Sequence, residues 1–238
     1  MTDSYMDFTF DSGDEKLGKK SKRFKGREGE TYRISLAWFA EANEDGSPNM
    51  DGNVQFTGCE RHYMQGVGYF LHKGAEFAKL AGGAPKQAVA TIVVVWPTDK
   101  KGTLNSASFS KGTDYEVMPW VFSSERYDQL KNRHVEWPLS EHDLILSCTD
   151  TQYQKMDISP AKDNLLRKLV ESDKDKARAI SVAIMEQVQK IESSIRTDLA
   201  RDLTLEQLRE KLGGSTASPV TGGAAEENVD ELLDNLLD

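Results

Sequence analysis

The run AVATIVVVW, Ala88 to Trp96, decides the architecture of this chain. It is small or β-branched almost throughout and lacks polar alternation, which marks a central strand buried on both faces. Pro97 stops it, and TDKKG (98–102) turns the chain into TLNSASF (103–109). Downstream, DYEVMPWVF (114–122) is another strand, followed by a short helix, SSERYDQLKN (123–132), with serine at its start. HDLILSCTD (142–150) and TQYQKMDI (151–158) pair as a closing hairpin. Upstream, TYRISLAWF (31–39) alternates, with Tyr32, Ile34, Leu36 and Trp38 on one face and Arg33 and Ser35 on the other. A polar loop (41–53) leads to VQFTGCERHYM (54–64), and the turn Gln65–Gly68 to YFLHK (69–73). GAEFAKLAGG (74–83) is a short helix closed by Gly82 and Gly83. Short strands at this spacing, interrupted by two helices, predict a mainly β fold with some α, a small barrel or sandwich.

After Pro160 the pattern changes. Ile180, Ile184, Val188, Ile191 and Ile195 form an apolar stripe at helical spacing. Thr204 to Gln207 has the form of a capping box for a last helix that Gly213 and Gly214 end. The expected layout is an acidic and basic flexible arm (1–29), a β core (30–160), accessory helices (161–213), a flexible linker (214–225) and an acidic, leucine-rich tail (226–238).

The net charge of −9 is distributed unevenly. Eleven acids lie in 1–15 and 212–238, which hold no basic residue; the body between carries 28 acidic and 30 basic side chains. Lys16, Lys19, Lys20, Lys22, Arg23, Lys25 and Arg27 follow one another with no acid between them, a cluster suited to a polyanion. In the tail, Val229, Leu232, Leu233, Leu236 and Leu237 fall at amphipathic-helix spacing between acids. So short a helix is marginal alone, which points to a docking partner. No apolar run reaches the roughly 20 residues of a membrane span, and the N-terminus lacks the signal-peptide layout. With two cysteines, a cytoplasmic protein is expected.

Enzyme signatures are missing: there is no P-loop, no G-x-S-x-G, no H-E-x-x-H and no dinucleotide fingerprint. Cys59, His62 and His72 are weak metal candidates. Cys59 and His62 are an odd number of residues apart and point to opposite faces of a regular strand, so no metal or other cofactor is expected. Stacking is the better chemistry, because a basic groove with exposed aromatic faces binds single strands without sequence preference. The candidate contacts are Arg33, Arg61, Tyr63, Lys73, Lys86, Trp96, Lys100, Lys101, Trp120, Tyr153 and Lys155.

The ending VDELLDNLLD, the segment KKSKRFK, and the stretches ATIVVVWPTDKKG and YEVMPWVFSSERYDQL, the last with Tyr127, together resemble the single-stranded-DNA-binding proteins of T-even phages. The shorter OB-fold proteins of T7-like phages, also acidic-tailed, are similar in layout. The resemblance implies an OB-fold-like small barrel with C-terminal helices, coating single-stranded DNA in phage replication, recombination and repair within a bacterial host. It implies self-association through the basic arm, and a tail that recruits DNA polymerase, helicase–primase or recombination factors and competes with DNA for the groove. The T-even family's zinc site uses a histidine and three cysteines, which this chain cannot supply; an ordinary β-hairpin over 53–73 is expected instead. The rival class is an adaptor that binds no DNA and docks on a polymerase through its tail. A metal-dependent enzyme around Cys59, His62 and His72 is the third.

Overall fold

A computed structural model describes residues 6–10, 23–37, 43–44, 49, 53–105, 114–149 and 155–213. Strands are β1 (Met6–Phe10), β2 (Thr31–Leu36), β3 (Val54–Met64), β4 (Gly68–Leu71), β5 (Lys86–Val95), β6 (Glu116–Ser123), β7 (Leu144–Cys148) and β8 (Met156–Pro160). Helices are α1 (Ala75–Ala81), α2 (Ser124–Glu136), α3 (Leu165–Ser172), α4 (Lys174–Leu199) and α5 (Leu205–Gly213).

β5 is the hub. Ala88 to Val94 are all buried, as an uninterrupted apolar strand must be when both its faces are covered. β6 pairs with β5 from Ala88↔Ser123 to Val95↔Glu116. β3 pairs with its first half (Arg61↔Lys86 to Thr57↔Ala90) and β2 with its end (Ile34↔Val95). β2 continues to β7 and β7 to β8; β4 pairs with β3. These seven strands are antiparallel, and β1 lies parallel to β3.

The sheet does not close into the expected barrel. An extended segment bridges β6 to β7 instead: Phe24 N–H donates to the Pro119 carbonyl at 2.9 Å, and Gly29 N–H to the Cys148 carbonyl at 3.0 Å. The supported description is therefore a mixed α/β protein with an open antiparallel sheet.

Pleating separates two covered faces. Phe56 meets Phe122 and Tyr127 of α2 on one, with Phe24 edge-on to Tyr32 and Trp120. On the other, Thr57, Ala90 and Ile92 face Val188 and Ile195 of α4 across a polar cleft of about 230 Å³. The predicted isoleucine stripe thus packs on the sheet, within one core. A smaller second core (Val67, Phe70, Phe77, Leu203 and Leu208) joins the β3–β4 hairpin to α1 and α5.

Candidate nucleic-acid interface

The basic candidates separate to the two ends of β5. At its C-terminal end, Thr31 N–H donates to the Lys100 carbonyl at 2.9 Å, and Thr31 bridges to Lys101. Cys148 N–H reaches the Glu30 carbonyl at 3.1 Å, and Thr149 N–H the Lys155 carbonyl at 3.0 Å. Backbone bonding therefore gathers the end of the basic arm, Lys100 and Lys101 after β5, and Thr149 and Lys155 beside β7 and β8 onto one edge. Lys25, Arg27, Lys100, Lys101 and Lys155 are exposed there. Arg27, Lys101 and Lys155 make no ion pair among the described residues, and Lys100 reaches Glu30 only at 3.8 Å.

The edge is stiff. Asp99 accepts from Lys101 N–H and Thr103 N–H at 2.9 and 2.8 Å. The Thr103 bond leads in holding its carboxyl below the usual range. Gly102 has φ +80°, and a Cβ there would strike the Thr31 side chain. The Tyr32 hydroxyl donates to Glu30 Oε2 at 2.5 Å and accepts from Arg27 N–H at 3.1 Å. Burial, then the bond to Glu30, raises that phenol to about 12.

At the N-terminal end of β5, Lys86 is exposed opposite Arg61. The Arg61 guanidinium lies 3.8 Å from the centre of the Tyr69 ring, and its Nη1 donates to the Leu199 carbonyl at 2.6 Å. Tyr63, 37% exposed, sits beside Tyr69 at 5.1 Å. Lys73 is spent in an ion pair with Asp202. Tyr69 was missed from sequence, although pairing across the tight turn puts it opposite Tyr63.

Three candidates have no freedom to bind a strand. Arg33 is locked by Nε to Asp143 Oδ2 at 2.8 Å and by Nη2 to Asp163 Oδ1 at 2.5 Å. Trp96 and Trp120 are 1% and 4% exposed, so neither offers a face to a base. Trp96 Nε1 donates to Ser35 Oγ at 2.6 Å, and Ser35 in turn donates to the fully buried Asp143. Burial raises the Asp143 carboxyl to about 6 against the pull of Arg33 and Ser35. This network ties β2, β5 and the start of α3 together, so it is structural. Lys19, Lys20, Lys22, Tyr153, Val229, Leu232, Leu233, Leu236 and Leu237 lie outside the described residues.

His62 and His72 do meet, Nε2 to Nδ1 at 2.9 Å. Burial, then His72, lowers the His62 imidazole. Cys59, buried with its thiol raised by that burial, lies on the opposite face. No group of three or more potential metal ligands forms among the described residues, nor is any helix among them long and apolar enough to cross a membrane.

The chain matches no family model, no curated protein and no solved structure.

Proposed function

We propose that this protein binds single-stranded DNA without sequence preference and coats it during replication, recombination and repair, with no enzymatic activity of its own. The observation that carries the reading is the convergence of Arg27, Lys100, Lys101 and Lys155 from three distant segments onto one edge. The Lys16–Arg27 cluster runs directly into that edge in sequence. Such a surface releases counterions from a polyanion, which makes binding strong and salt-dependent. The finer reading, an OB-like site, rests on the segment Phe24–Glu30, which is bonded to both β6 and β7. The acidic tail recruits replication proteins and competes for the same basic edge, and the arm contacts neighbouring protomers on DNA.

Titration of fluorescent oligo(dT) at two salt concentrations, beside a duplex of equal length, tests this. Tight, salt-sensitive binding to the single strand and much weaker binding to the duplex is expected. No binding to either at low salt, including after truncation at Gly214, would overturn it.

A further inference from the structure

Among the three described tryptophans, Trp137 alone faces solvent, 42% exposed beside Val135 at 80%. The loop that carries it is nevertheless closely bonded. Trp137 N–H donates to the Arg133 carbonyl at 2.8 Å, closing α2; Glu141 N–H and His142 N–H return to the Pro138 carbonyl at 2.9 and 3.1 Å. Buried Leu139 pins the loop from below. Arg167 Nε donates to the Ser140 carbonyl at 2.7 Å, and the His142 ring bonds the Ala161 carbonyl at 3.0 Å. His142 meets the indole edge-to-face at 5.1 Å. A loop able to bury Leu139 thus holds its largest apolar ring in water, already ordered, which lowers the entropic cost of binding.

We infer that Trp137 is a base-stacking site that takes one nucleobase of a bound single strand, an assignment that rests on the DNA-binding reading above. Two exposed apolar side chains fall far short of the roughly 1,000 Å² a protein interface needs. One indole face suits one base, and such a stack is worth about 1–3 kcal/mol. Exposed Lys131 and Arg133 lie close by in the chain for phosphates, and exposed Lys162 follows Ala161, whose carbonyl meets the His142 ring; Glu136 and Glu141 lie among them, so the ring leads the recognition. A path to the basic edge exists. Arg126 Nη1 donates to the Met156 carbonyl at 2.6 Å, setting the start of α2 next to Lys155. The 13 residues of α2 then carry the surface about 20 Å to Trp137, about six nucleotides at the rise of a stacked strand.

The test titrates wild type, Trp137→Phe and Trp38→Phe with oligo(dT) while following tryptophan fluorescence. Anisotropy of a labelled oligo(dT) reads affinity for these and for Trp137→Ala. Trp137→Phe should lose most of the quenching that Trp38→Phe keeps, and Trp137→Ala should bind about 5- to 150-fold more weakly. Wild-type quenching in Trp137→Phe with wild-type affinity in Trp137→Ala overturns the inference. A response of Trp137 to a peptide of residues 226–238 but not to oligo(dT) also overturns it, in favour of a protein partner. If the wild type binds no labelled oligo at all, the DNA-binding reading itself fails, a result distinct from both.

Discussion

The two ends of β5 carry similar residue types and use them differently. At the hairpin end, Arg61 holds the Leu199 carbonyl, Lys73 pairs with Asp202, Arg209 pairs with Glu76, and the two imidazoles bond each other. At the other end the backbone does the joining and leaves Arg27, Lys101 and Lys155 facing water. A lysine or arginine signals phosphate binding only when no carboxylate or carbonyl has claimed it. Three-dimensional pairing, not residue type, makes that distinction.

Core truncation at each end is the strongest way to break this contrast. Phe24 and Phe70 are both buried, so Phe24→Ala and Phe70→Ala should each cost about 3–5 kcal/mol by urea unfolding. Their effects on DNA should differ. Loss of Phe24 frees the segment that carries Arg27 and should weaken oligo(dT) binding well below the melting transition. Loss of Phe70 loosens only the hairpin core. Equal loss of binding in the two folded variants would erase the distinction between the ends.

Charge sharpens it next. Reversal of Arg27, Lys101 and Lys155 to glutamate should lower the slope of log affinity against log salt by about 3, one for each phosphate contact. Lys73→Gln should leave that slope unchanged and lower stability instead, since it strips the buried Asp202 carboxylate of its partner. A slope that falls with Lys73→Gln and survives the triple reversal would move the DNA path to the hairpin.

Much of the scaffold was legible because the signals were local. β5, the β7–β8 hairpin and the α4 stripe follow from period and β-branching. The Thr204–Gln207 capping box forms both its bonds, at 2.9 and 3.2 Å. α3 falls within the accessory helices expected over 161–213, and Asn164 caps it through bonds to Leu166 N–H and Arg167 N–H, each 3.1 Å. β1 could not be read, because nothing in MDFTF names β3 as its partner. The lysines of the basic edge were identified singly, but their meeting depends on pairings between segments far apart in the chain. Trp96 and Trp120 misled because a place near a strand end says nothing about which face a ring takes.

A smaller effect should come from Gly26, which packs so closely that a Cβ would overlap Cys148 Sγ and touch the Met156 side chain. Gly26→Ala must push the arm segment off β7, at about 1–3 kcal/mol for overpacking. Because that segment carries Lys25 and Arg27, oligo(dT) affinity should fall with it. Unchanged stability would mean that the bridge between β6 and β7 contributes little.

The finest test uses pH, because two buried groups titrate with opposite sign. Asp143 has its folded pKa raised to about 6, above an unfolded value of about 3.9. Its contribution to stability is complete below about pH 4 and is lost as pH rises through 6. His62 is lowered in the folded state, so its contribution is complete above about pH 6.5 and is lost as pH falls. Asp163, held low chiefly by the bond from Lys168, acts only below the unfolded carboxylate value. Between pH 4 and 6.5 the first two therefore oppose each other. Relative to wild type, His62→Gln should make stability fall more steeply with rising pH, and Asp143→Asn should make it rise. The neutral amide leaves Arg33 without a charged partner at that position, so a general loss of stability is expected too, and the slope is the diagnostic. Since the His62–His72 pair belongs to the hairpin, the His62 component should be insensitive to oligo(dT). A bound strand that removed it would show that DNA reaches the hairpin end and that the two ends of β5 act as one surface.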